Sequence, residues 1–155
     1  MTSQPFSSAG IVWDLSDLFA AHDDPRIETT LADCRARAQA FARRFRDTIR
    51  VPGGPELDHL RGAVLELEAL EEDLKRVGTF ADLLYAADTS RPEHRDLRER
   101  VELAATEIGN LVLFFDLEWM DLEDEVADAL QAHPRLTGYR HYLERLRRHR
   151  PHILS

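Results

Sequence analysis

From residue 24 onward, apolar residues recur every three or four positions, the spacing that lays them along one face of an α-helix. Ile27, Leu31, Cys34, Ala38, Phe41, Phe45 and Ile49 make one continuous stripe. Asp24-Pro25 opens it, since aspartate accepts bonds from free first-turn amides and proline suits the first helical position. Val51-Pro52-Gly53-Gly54-Pro55 closes it with residues that cannot or need not continue a helix. A second helix is predicted from about Pro55 to Ala87, with Leu57, Leu60, Val64, Leu67, Leu70, Leu74, Val77, Leu84 and Tyr85 as a near-heptad seam. Its weakest point is Gly78-Thr79. Ser90 and Glu93 stand at capping-box spacing, with Pro92 in the first turn of a third helix. That helix continues through Leu97, Val101, Ala104, Ile108, Leu111, Val112 and Phe115. Shorter helices follow over Asp121 to Ala132, ended by Pro134, and Leu136 to His149, ended by Pro151.

No alternating strand pattern interrupts this series, and the connections are short. The pattern therefore predicts an all-α fold of antiparallel helical hairpins packed as a bundle. Residues 1–10 are rich in Ser, Pro and Gly and read as a flexible leader, leaving 11–155 as a single helical domain. Within Ile11 to Phe19 the apolar residues are dense enough to dock on the core, with Ser16 positioned to cap a short turn.

Charge divides the chain unevenly. The 155 residues carry a formal net charge of -9, yet Arg135, Arg140, Arg145, Arg147, Arg148 and Arg150 cluster at the C-terminal end beside one acid, Glu144. A basic patch on an acidic body argues against general affinity for nucleic acid or anionic membrane. The single cysteine, Cys34, excludes an internal disulfide and fits a reducing compartment. No apolar run approaches the ~20 residues of a membrane span, and no signal peptide is apparent. A cytoplasmic location is the expectation.

The candidate chemical constellations are weak. His149 and His152 stand three apart with Pro151 between them, so a regular helix cannot bring both to one metal. Glu56 and His59 have the Glu-x-x-His spacing of di-iron bundles, but a second copy is missing and Glu56 suits a helix N-terminus. The acidic runs Glu66 to Asp73 and Asp116 to Glu125 could supply paired carboxylates; on amphipathic helices they read first as solvated faces. Glu71 with Lys75, and Glu72 with Arg76, have the order and spacing of helical ion pairs. Cys34 lies on the apolar stripe, where it acts as a small hydrophobe. Phosphate-cradling glycine motifs are absent, and Gly53-Gly54 reads as an interhelical turn. Tyr139 and Tyr142 among the arginines could stack on RNA, but Leu136, Tyr139, Leu143 and Leu146 keep helical spacing. Packing explains them, with the arginines outside. No catalytic, cofactor-binding or metal-ligating residue is expected in this chain.

Three segments taken together carry a resemblance. They are Trp13-Asp14-Leu15-Ser16-Asp17-Leu18-Phe19 with Asp24-Pro25-Arg26-Ile27, then Phe114-Phe115-Asp116-Leu117-Glu118-Trp119. The third is Tyr139-Arg140-His141-Tyr142-Leu143 with Arg150-Pro151-His152-Ile153-Leu154-Ser155. In order and spacing the chain resembles the N-terminal region of oligoendopeptidase F and related thimet-type zinc oligopeptidases, over Trp13 to Ser155. The resemblance implies a helical lobe forming part of the wall of a substrate channel that admits short peptides. It also implies that the zinc and its His-Glu-x-x-His helix belong to a catalytic domain. No position here matches those ligands, so the chain alone should be inactive. The implied partners are the missing C-terminal catalytic domain and, through the complete enzyme, short peptides; a lobe without its partner surface should tend to self-associate. The alternative is a stand-alone helical interaction module that offers a seam to a partner helix.

Overall fold

A computed structural model describes residues 14–148, and among them every regular element is helical. The proposed leader, Trp13 and the histidines His149 and His152 lie outside the described residues.

The first helix, α1 (Pro25–Phe45), starts where Asp24 and Pro25 direct it. Asp24 is buried, and its carboxylate accepts from Ala20 N at 2.9 Å and Arg26 N at 2.9 Å, tying the preceding turn to the helix start. The Arg26 guanidinium beside it, with these backbone bonds, holds the Asp24 carboxyl well below the usual carboxylate range. Before it, Asp14 and not Ser16 supplies the cap: Ser16 N donates to Asp14 Oδ1 at 3.0 Å. The turn brings Phe19 edge-on to Phe80, with ring centroids 5.2 Å apart.

The apolar stripe of α1 is buried along its length, with Cys34, Ala38 and Phe45 fully enclosed. Burial pushes the Cys34 thiol up, which suits a packing residue and not a nucleophile. Ile49 is buried too, but the helix ends four residues before it. The expected continuous helix to Ile49 fails because the amides of Asp47, Ile49 and Arg50 find another acceptor, the carboxylate of Glu118. Asp47 then adopts a left-handed φ of 61° and turns Ile49 inward.

After a turn containing Gly53 and Gly54, both at positive φ, α2 (Leu57–Ala87) runs unbroken past Gly78-Thr79. At ~1.5 Å per residue its 31 residues extend about 46 Å. The third helix, α3 (Pro92–Met120), returns antiparallel to it. Its capping box does not form: Arg91 is the N-cap, while the Ser90 hydroxyl donates to Asp88 at 2.6 Å. The expected ion pairs from Glu71 and Glu72 are also absent from the described residues. Arg76 turns instead to Asp73 at 2.9 Å, and Asp73 holds Arg37 of α1 at 2.6 Å.

These three helices enclose a core with two main clusters. One joins Phe19, Ile27, Leu31, Val77, Phe80, Leu97 and Val101. The other joins Phe41, Phe45, Leu60, Val64, Phe115 and Trp119, and the last segments of the chain pack there. Those segments are α4 (Asp124–Gln131), a 3₁₀ segment (Pro134–Tyr139) and α5 (Arg140–Arg148). The expected helix from Leu136 thus begins as a tighter 3₁₀ turn, opened by His133, whose Nδ1 accepts from Arg135 N at 3.2 Å. Leu136 and Leu143 are fully buried against the α1–α3 end of the bundle.

Candidate functional site

At the end of α3 two charged residues, Glu118 and Arg147, are drawn into or against the interior. Phe114-Phe115 and Trp119 face the core, and Glu118 falls between them on the spacing Ile108, Leu111, Phe115, Glu118. Its carboxylate accepts three backbone amides of the α1–α2 connection: Asp47 N at 2.7 Å, Ile49 N at 3.0 Å and Arg50 N at 3.3 Å. The acidic run Asp116 to Glu125 is therefore not only a solvated face. One of its members is a buried acceptor that shapes a loop. The sequence signal was an acid at core spacing.

The second such residue is Arg147 of α5. Its guanidinium donates to Trp119 O at 3.0 Å and Leu122 O at 3.1 Å, and pairs with Asp124. Its side chain is only 11% exposed. The arginines were expected on the outer face, and Arg147 corrects that for one of them: it closes the carbonyls at the C-terminus of α3, where a cation also meets the helix dipole. Among the described residues the others, Arg135, Arg140, Arg145 and Arg148, are exposed. Arg135 reaches Asp58 at 2.5 Å, Arg148 reaches Glu144 at 3.7 Å, and Arg145 lies over the Tyr142 ring. Trp119 completes the junction by donating its indole N–H to Leu143 O at 3.0 Å.

A groove lies beside this junction, between α2 and α3 and against α5. It has a volume of about 370 Å³ and is lined by Leu67, Glu71, Thr106, Asn110, Leu113, Asp116 and Tyr142. A smaller hollow of about 160 Å³ adjoins it around Glu68, Glu71, Tyr139 and Tyr142. The Tyr142 hydroxyl donates to Asp116 at 3.4 Å, and Tyr139 donates to Glu68 at 3.1 Å. Burial pushes the Asp116 carboxyl up, and the Glu71 carboxyl likewise. Burial also pushes the Tyr142 phenol up, Asp116 adding to the effect. The tyrosines among the arginines are thus held by carboxylates from two helices.

A carboxyl raised in the folded state contributes stability below its unfolded value and loses it as pH rises through the raised one. Asp116 is thus a net cost at neutral pH. Asp116→Asn, which still offers Tyr142 an acceptor, should melt at a higher temperature than the parent at pH 7. The gain should shrink as pH falls through the carboxylate range; a variant that melts lower at pH 7 would contradict the sign.

The described histidines His59 and His94 take part in local packing and hydrogen bonds. His59 Nε2 lies 2.7 Å from Thr48 Oγ1, with its ring 4.9 Å from that of Phe45, and Glu56 is the exposed residue before α2. His94 is buried with Nδ1 at 3.2 Å from Asp88 O. Among the described residues, no three or more His, Cys, Asp or Glu side chains gather as a metal site. None of the described helices is long and apolar enough to cross a membrane.

Residues 118–155 match the family model for Oligopeptidase F, N-terminal region. Over those residues the chain is similar to the N-terminal region of oligopeptidase F-type proteins. It begins at Glu118 and Trp119 and includes the arginine-fastened α5, so the junction just described is where the likeness to the family lies. The closing Tyr-Arg-His-Tyr-Leu stretch falls within the match, whereas the opening segment from Trp13 lies outside it. No curated protein and no solved structure matches the chain.

Proposed function

We propose that the chain is the N-terminal helical lobe of a zinc-dependent metalloendopeptidase acting on short peptides, and that it forms part of the substrate-channel wall. The observation that carries this reading is the oligopeptidase F match over residues 118–155, which coincides with a tightly bonded structural junction. In this reading the lobe contributes shape and supplies no step of hydrolysis. The zinc, which would polarise the peptide carbonyl and activate water, belongs to the catalytic domain of the enzyme. The proposed location is the cytoplasm.

Two measurements test it. The isolated chain, incubated with zinc and a quenched short peptide, should give no hydrolysis; cleavage that a chelator abolishes would refute an inactive lobe. The reading frame beyond Ser155 should encode a His-Glu-x-x-His motif. An immediate stop codon would favour a helical interaction module instead.

A further inference from the structure

From Asp124 to Arg148 the chain lies across the end of the bundle, joined to α3 by the short connection Asp121 to Glu123. Along this segment only Ala127, Gln131, Leu136 and Leu143 are buried, whereas α1 alone buries six side chains. A segment with so few enclosed apolar groups draws little free energy from the core. Among the described residues, its hydrogen bonds to α2 and to the end of α3 all run through side chains. Trp119 donates to Leu143 O, Arg147 to Trp119 O, Tyr139 to Glu68 and Tyr142 to Asp116.

Two features work against the closed position. The Gln131 side chain is only 8% exposed, and its Nε2 finds no acceptor among the described residues. A buried donor without a partner favours any state in which water reaches it. The second feature is the carboxyl pair Glu71 of α2 and Asp116 of α3, which share the groove wall with Tyr142. Burial pushes both carboxyls up, Glu68 adding at Glu71 and Glu71 at Asp116, against the one opposing cation named there, Arg145. On the adjoining wall Tyr139 faces Glu68 and Arg61.

We infer that residues 124–148 form a lid that opens as a unit from a three-helix bundle that stays folded, uncovering Trp119 and the groove between α2 and α3. The lid supplies Tyr142 to the groove and Tyr139 to the hollow beside it, so opening hydrates Glu71 and Asp116. Ionised, these carboxyls favour the open lid; protonated, they favour the closed one. Acid therefore tightens the lid and neutral pH loosens it, with Arg145 limiting the difference. Arg147 is the latch at the end of α3. The inference does not depend on the peptidase reading.

Native-state hydrogen exchange on the full 155-residue chain in low urea reads the opening directly. The Trp119 indole N–H and the amides of Gln131 and Leu146 should share one protection level, at least about tenfold below the amides of Cys34 and Leu67. Equal protection of lid and core, or lid groups exchanging at unrelated levels, would overturn the inference. Gln131→Met keeps the length of the side chain and removes the stranded donor, so lid protection should rise about tenfold with Cys34 unchanged. A fall would count against the role of that amide. Between pH 7 and pH 4.5 the ratio of lid to core protection should rise several-fold in the parent and stay level in the double variant Glu71→Gln, Asp116→Asn. His133 and His141 remain on the lid in both chains, so a rise that survives in the double variant would assign the effect to them and remove it from the carboxyls. A parent ratio that falls or stays level would refute the acid closure outright.

Discussion

Glu118→Ala is expected to destabilise the chain by about 3 kcal/mol, more than the loss of any exposed acid in the molecule. The reason is the number of groups left without a partner. Asp47 N, Ile49 N and Arg50 N all donate to this one carboxylate, and the Ile49 bond is buried. A buried amide without an acceptor costs about 1–3 kcal/mol, and water reaching the loop offsets part of the total. Glu118→Gln isolates the role of the second oxygen. Its single carbonyl can serve Asp47 N or Ile49 N but not both, so it should lie between alanine and the parent. Urea unfolding would give these values, and hydrogen exchange would localise the effect to residues 46–50. An alanine variant within about 0.5 kcal/mol of the parent, the range of ordinary surface changes, would show that the loop holds itself.

Glu118 also explains why one part of the fold could be read from the sequence and an adjoining part could not. The apolar period of three and four residues locates α1, α2 and α3 because burial of a stripe is a repeated signal, and each of Ile27, Leu31, Cys34, Ala38, Phe41 and Phe45 is buried as spaced. The same period carries through to Ile49, which is buried as well, but the period cannot tell a helix from a loop that folds back. That outcome depends on an acceptor about 70 residues away in sequence. Local signals carry no record of it. A similar limit applies to Ser90 and Glu93, which have capping-box spacing yet bond to Asp88 and Arg91 because those neighbours are closer acceptors and donors. At the groove, the acids and tyrosines were visible as residue types, whereas the convergence of Glu71, Asp116 and Tyr142 required three helices to meet.

Arg147→Met should cost roughly 2–3 kcal/mol and loosen α5 before the rest of the bundle. The methionine keeps the apolar length of the side chain, so the change removes the guanidinium with little loss of packing. Trp119 O and Leu122 O then lose a charged donor at the point where α3 ends and its carbonyls have no intrahelical partners. Lysine should rescue only part of the loss. It retains the charge but is a single ammonium on a flexible stem, and it cannot reproduce the planar fork that serves two carbonyls and Asp124 together. The contact with Asp124 is the lesser part, since that carboxylate is 78% exposed and water screens such pairs to about 0–1 kcal/mol. Asp124→Ala should therefore lie well above Arg147→Met in stability, and this ordering separates carbonyl capping from ion pairing. Exchange protection of α5 amides and urea midpoints would report both. If Asp124→Ala proved as damaging as Arg147→Met, the surface pair would be the fastening and the carbonyl contacts incidental. If neither change mattered, the hydrophobic seating of Leu136 and Leu143 would hold the segment alone.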